Sequence, residues 1–182
     1  MDIFGQINKR SIRAEIMQYR SSLYRVALSW TGDQMLADDI TQDTMARALT
    51  KYYQLKDHTK LEHWLFRILN NCWREYLRRQ RPTIELDDLI LISEDVTETG
   101  VRKQQVAERV RMAISTLPLG QRQAVTMVDL KGFSYAEVSE ILEIPLGTVM
   151  SRLSRARNTL KKQLLSLQGE LSPQRCHVRR VK

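Results

Sequence analysis

Residues 147–163, GTVMSRLSRARNTLKKQ, carry Arg152, Arg155, Arg157, Lys161 and Lys162 and no acid. Long cationic side chains repeated at helical spacing neutralise phosphate, and shorter polar groups among them can meet base edges. Just upstream, Ser134 with Glu137 three residues on forms an S-x-x-E capping box, the start signal for a short helix holding Ala136, Val138, Ile141 and Leu142. The turn EIPLG follows, and from about Gly147 a last helix turns Val149, Leu153, Ala156, Leu160 and Leu164 inward. Two short helices joined by a tight turn make a helix-turn-helix, whose second helix lies in the major groove of DNA. The competing reading is a solvated basic face on a helical hairpin; the capping box and turn weigh against it.

Other chemistries find little support. His58, His63 and His177 form no HExxH and no HxE with a later CxxC, and no phosphate-cradling glycine loop is present, so no metal or nucleotide chemistry is assembled. His58 and His63 are expected in a solvated turn. The two cysteines, Cys72 and Cys176, lie far apart and outside any metal-ligand spacing, which predicts reduced thiols, no metal and no cofactor. Lys and Arg total 29 against 21 Asp and Glu, a formal charge of +8 that favours nucleic acid or an acidic membrane as partner. No run approaches the roughly 18 apolar residues of a membrane span, and the first residues lack signal-peptide order, so a cytoplasmic protein is expected.

The elements that must hold these residues are helical. Seven glycines, four prolines and little strand-like alternation in 182 residues predict an all-α protein of two small domains. In the first, Ile12, Ile16, Tyr19, Leu23, Ala27 and Trp30 share a face of a helix ending near Gly32. A second helix runs from Asp33 to about Leu55 on the stripe Leu36, Ile40, Met45, Ala48, Leu49 and Tyr52, with Asp33, Asp38, Asp39 and Asp43 crowding its N-terminal half. A third runs from about Leu61 to Gln80, stopped by Pro82, with Trp64, Leu65, Ile68, Leu69, Trp73, Tyr76 and Leu77 as core contacts. Trp64, Trp73 and Cys72 read as core residues. Between Thr83 and Gly100 lie six acids and no base, the composition of a flexible linker. A second helical group follows: 101–116, with Val106, Val110, Ala113, Ile114 and Leu117 on one face, then 120–130, then the helix-turn-helix.

Four segments together resemble the extracytoplasmic-function sigma factors of bacterial RNA polymerase. FSYAEVSEILEIPLGTVMSRLSRARNTLKKQL is similar to their region-four helix-turn-helix, down to the G-T-V-x-S-R-x-x-R-A-R core, and STLPLGQRQAVTMVDLKGFSYAEV to its lead-in. LADDITQDTMARAL resembles the polymerase-docking helix of region two, and LEHWLFRILNNCWREYLRRQRP the helix that opens and reads the minus-ten element. The matches span residues 11 to 165 in the family's order. The resemblance implies a region-two domain at 8–82, an acidic linker at 83–104, a region-four domain at 105–168 and a basic, disordered tail at 169–182.

It also implies a non-enzymatic role. Asp38, Asp39, Gln42 and Asp43 would dock on the clamp coiled coil of the polymerase's largest subunit, while region four meets the flap of the second-largest; the alternative is an acid cluster that only satisfies the helix dipole. Arg67, Asn70, Asn71, Arg74 and Arg78 would engage the minus-ten element. Strand separation needs cations for the displaced backbone and stacking surfaces for flipped bases, and the turn at Lys56 to Glu62 would shape the pocket for one such base. Thr148, Met150, Ser151, Arg152, Ser154 and Arg155 would face the minus-thirty-five element. Many relatives have Arg where this chain has Met150 and an aromatic where it has Ser154, so its promoter preference is expected to differ. Leu89 to Asp95 would thread toward the polymerase's active-site channel.

The partners that the resemblance implies are core polymerase, promoter DNA and an anti-sigma factor, often membrane-bound in the family, with the chain monomeric when free of polymerase. The runner-up is a stand-alone dimeric helix-turn-helix regulator reading paired half-sites. The Arg-rich helix ahead of Pro82 favours the sigma factor.

Overall fold

The computed structural model describes the backbone at residues 12–80 and 102–171 and the side chains at 12–80 and 109–165. Every regular element among the described residues is helical. Arg81, Pro82, the linker readings including Leu89 to Asp95, and Cys176 and His177 of the tail lie outside them.

A helical segment at 12–18 breaks at Tyr19 and continues as α1, Arg20–Thr31. Gly32 ends it in the left-handed conformation at φ 72°, its N–H donating to the Leu28 carbonyl at 2.9 Å. The chain turns directly into α2, Gln34–Lys51, where the Asp33 carboxylate accepts the Leu36 N–H at 3.0 Å. The buried stripe of α2 is Ala37, Ile40, Thr41, Thr44, Met45 and Ala48. Both threonines enter it because their hydroxyls donate to the Ala37 and Ile40 carbonyls one turn back, leaving their methyl groups to pack. Leu49, placed in that stripe from its type, is 41% exposed; it falls at the edge of the arc centred on Ala37, Thr41 and Ala48.

Two short 3-10 turns, Tyr52–Gln54 and His58–Lys60, lead into α3, Leu61–Gln80. Tyr52 ties this corner together by donating to Glu15 at 2.8 Å, and its hydroxyl meets His58 Nδ1 at the same distance. Burial, reinforced by Glu15, pushes the phenol up to about 12. Trp73 and Cys72 are buried on α3 as expected, and Trp64 is half-buried, edge-on to Tyr52. Burial raises the Cys72 thiol to about 11, which keeps it protonated and unreactive. His63 is not in the turn: it sits inside α3, half-buried, with Nε2 3.3 Å from Glu140.

The second half contains α4 (Arg102–Ser115), α5 (Leu119–Val125) running into a π-helical turn at Thr126–Leu130, α6 (Tyr135–Leu142) and α7 (Leu146–Leu171). α4 takes in residues 102–104 of the expected linker, and α7 continues through 169–171 of the expected tail. α5 and α7 enclose a small cluster of Ile114, Leu117, Ala124, Val125, Leu153 and Ala156. The other cluster crosses the chain's midpoint. Leu119, Met127, Val138, Ile141, Leu142 and Val149 join Leu23, Trp30, Leu65 and Leu69, so the two domains pack on one another along α3 and α6.

Candidate nucleic-acid interfaces and docking surface

The helix-turn-helix is built as its sequence dictates. The Glu137 N–H donates to Ser134 Oγ at 3.3 Å, and Glu137 Oε2 accepts the Ser134 N–H at 2.8 Å and its hydroxyl at 2.7 Å. These bonds hold the Glu137 carboxyl below its ordinary value. After Leu142 the backbone reverses at Glu143, at φ 55° and ψ 46°, and Ser139 secures the turn by donating to the Ile144 carbonyl at 2.6 Å. Pro145 then opens α7, its carbonyl accepting from Thr148 at 2.9 Å and Val149 at 3.2 Å.

Val149, Leu153 and Ala156 fix the rotation of α7 by burial. That rotation leaves Met150, Ser151, Ser154 and Arg155 exposed on one face, continued by Asn158, Lys161 and Lys162. Ser151 turns its hydroxyl back to the Thr148 carbonyl at 3.0 Å. Thr148 and Arg152 are half-buried, and the Arg152 guanidinium lies across Gly120 of α5, where an added Cβ would come within 2.8 Å of it. Arg157, counted above among the helix's cations, grips Asp129 with two of its nitrogens, at 3.1 and 2.6 Å. It braces α7 on the π turn.

On α3, Arg67, Asn71 and Arg78 are exposed and Arg74 is half-buried. Asn70 is different. It is buried, donates its amide to the Ile141 carbonyl at 3.1 Å and accepts from Gln123 at 3.4 Å. Glu143 lies against its neighbours: Arg67 donates to Oε1 at 3.0 and 3.2 Å, and Arg74 to Oε2 at 3.0 Å. Nothing in the local sequence of either helix marks this pairing, because the partners are separated by about seventy positions and no periodicity links them. In the turn ahead of α3, Lys56 to Lys60 are exposed, and Glu62 is drawn to Lys131 at 2.6 Å.

The acids of α2 divide in two. Asp39 and Gln42 are exposed, and Gln42 donates to Asp38 at 2.7 Å. Asp38 also binds Arg20 at 2.7 Å beside Met35, which is 81% exposed at the edge of a shallow groove with Tyr24 and Gln34. Asp43 belongs to a chain of charges. It holds Arg47 at 2.9 Å, Arg47 reaches Glu75 at 2.8 Å, and Glu75 holds Arg79 at 2.5 Å. Hydrogen bonds to Asp43 and Glu75 raise the Arg47 guanidinium above its ordinary value. The chain ties α2 to the C-terminal end of α3. Among the described residues no group of His, Cys, Asp or Glu is placed to hold a metal, and no helix is long and apolar enough to cross a membrane.

Comparison with known proteins covers both halves. Residues 16–83 match the family Sigma-70 region 2, and residues 107–160 match Sigma-70, region 4. The chain is 34% identical over 150 residues to the ECF RNA polymerase sigma factor EcfG of Rhodopseudomonas palustris, covering 82% of this chain and 83% of that one. It is 34% identical over 150 residues to the ECF RNA polymerase sigma factor SigM of Bacillus subtilis, covering 81% and 91%. Among solved structures it resembles the sigma factor RpoE of Bartonella quintana, in complex with the anti-sigma factor NepR. The TM-score there is 0.67 at 26% identity, over 91% of this chain and 98% of that one. A likeness in fold to CnrH, solved with the cytosolic domain of CnrY, has a TM-score of 0.62 at 22% identity, over 86% and 89% of the two chains.

Proposed function

Because the chain belongs to the extracytoplasmic-function group of RNA polymerase sigma factors, non-enzymatic subunits that bind core polymerase and direct it to promoters, we propose a division of that work among three surfaces. The exposed face of α7, with Met150, Ser151, Ser154 and Arg155 flanked by Thr148 and Arg152, reads the minus-thirty-five element. Arg67, Asn70, Asn71, Arg74 and Arg78 of α3 engage the minus-ten element as its strands part. Asp39 and Gln42, with Asp38 and Asp43 held in place by Arg20 and Arg47, present the acidic docking face to the polymerase clamp.

The observation that carries this reading is the rotation of α7. Burial of Val149, Leu153 and Ala156 aims a basic, acid-free face outward from a capped helix-turn-helix, which is the geometry of major-groove entry. Met150, near the N-terminal end of that face, offers apolar contact to a thymine methyl where an arginine would read guanine, so thymine is preferred at the position it meets. Region two occupies 8–82 and region four 105–168, the charged segment 83–104 joining them. The protein works in the cytoplasm, and an anti-sigma factor holds it until a signal arrives. The solved relative that carries NepR supports this last point.

A stand-alone dimeric regulator is not favoured, since the N-terminal half, where such a regulator would bind its ligand or partner, matches a sigma region instead. Co-elution with purified core polymerase, followed by run-off transcription on a pooled promoter library, tests the proposal. Stoichiometric binding with new start sites is expected. DNA binding by a dimer of the chain alone, with no affinity for core, would refute it.

A further inference from the structure

The contact between Glu143 and α3 has a geometry that its neighbours do not explain. Arg67 and Arg74 stand seven residues apart, two turns of one helix face, and both guanidiniums close on a single carboxylate. One anion held between two arginines two turns apart is how a backbone phosphate would be held on the same face. Between them Asn70 is buried under the Ile141 carbonyl and Gln123, so the second domain covers the middle of the face as well as its charges. Lys131 adds a further tie, donating to Glu62 at 2.6 Å and Ser22 at 2.7 Å.

The backbone of Glu143 sharpens the point. At φ 55° it occupies the left-handed region, where a helix C-cap favours glycine or asparagine. Glutamate there works against the local preference and sets a carboxylate at the tip of the helix-turn-helix turn.

We propose that Glu143 is an intramolecular phosphate mimic. It latches region four over the minus-ten face of α3, so that region four and single-stranded DNA compete for Arg67, Asn70 and Arg74. The proposal rests on the reading of those three residues as the minus-ten site. The structure described here is then the closed, DNA-refusing state of the free subunit. Opening exposes the minus-ten face and frees the turn of the minus-thirty-five reader in one movement, which couples the two recognition events. DNA at the α3 face and release of region four are linked in both directions.

The test uses the full chain without polymerase. Glu143→Gln keeps size and removes charge; Glu143→Gly removes the side chain and suits the left-handed backbone, so it guards against misfolding. Donor and acceptor dyes at Tyr53→Cys and Leu165→Cys, in a Cys176→Ser background, report the separation of the two domains. Polarisation of a short labelled single-stranded DNA of randomised sequence reports access to α3. Both Glu143 variants are expected to show lower transfer efficiency and to bind the DNA about threefold to tenfold tighter, the range that one or two partly exposed ion pairs supply. Adding Arg67→Ala and Arg74→Ala is expected to abolish that gain.

Unchanged separation and unchanged affinity in both variants overturn the latch. Opening without any gain in affinity overturns the competition, and run-off transcription with the two arginine variants then locates the fault. If holoenzyme carrying them still melts promoters normally, the minus-ten reading has failed; if melting is lost, that reading stands and only the competition has failed.

Discussion

Arg122→Met removes a cation that closes two helix ends at once. The guanidinium is fully buried and faces no carboxylate among its described hydrogen bonds. It donates to the Trp30 carbonyl at 3.0 Å in the last turn of α1, to the Leu117 carbonyl at 3.0 Å, and to the carbonyl of Ser115, the last residue of α4. The Trp30 and Ser115 carbonyls are orphan acceptors at the negative ends of two helices, one from each domain, and Leu117 lies just past the second. Burial depresses the guanidinium to about 10, a desolvation cost of about 3 kcal/mol that the substitution relieves. Against it stand two buried carbonyls and one partly buried carbonyl that lose this donor, at about 1–3 kcal/mol each.

The net loss centres on about 3 kcal/mol, since the carbonyl penalties exceed the relieved desolvation in most of that range. Urea denaturation followed by circular dichroism measures it. The sign of the pH dependence offers a second check. A base whose folded pKa is depressed binds fewer protons folded than unfolded, so wild-type stability rises, relative to the variant, as pH climbs through about 10 toward the ordinary arginine value. A loss under about 1 kcal/mol would refute the reasoning that the helix ends depend on this cation.

Other expectations follow from single contacts. Asp39→Lys reverses an exposed charge and is expected to weaken binding to core polymerase, measured by co-elution, with thermal stability unchanged. Asp43→Lys is expected to weaken that binding and also to lower thermal stability, because it breaks the chain through Arg47 and Glu75 to Arg79. Arg155→Ala should weaken promoter binding by the holoenzyme, in gel-shift assays, and leave affinity for core intact. Gly120→Ala should imitate it in part: the new Cβ meets the flexible end of Arg152, so the side chain moves while the fold persists. Ser134→Ala should cost about 1 kcal/mol in urea denaturation by opening the capping box. The depressed Glu137 carboxyl gives its stabilisation above the unfolded carboxylate pKa and loses it as pH falls through the folded one. The Ser134→Ala deficit should therefore shrink in acid.

Much of this protein was legible in the residues alone, and the readable part was local. Helix limits followed from Gly32, Asp33 and the Ser134/Glu137 pair, because caps act within four residues of where they are written. The outward face of α7 followed from the spacing of Val149, Leu153 and Ala156, and four motifs in order were enough to recognise the family. Side-chain type misled wherever a partner overrode it. Thr41 and Thr44 pack as core because their hydroxyls bond to their own helix, and Arg157 is bound to Asp129 where its sequence neighbours suggest a free cation. His63 is half-buried against Glu140 instead of solvated.

The tertiary structure alone decided how the domains meet. Asn70 beneath Ile141, Glu143 between Arg67 and Arg74, and Arg122 against Trp30 join residues about seventy to ninety positions apart. Periodicity and capping carry no information over that distance. Such pairs form only when two separately folded surfaces happen to complement each other in shape and charge.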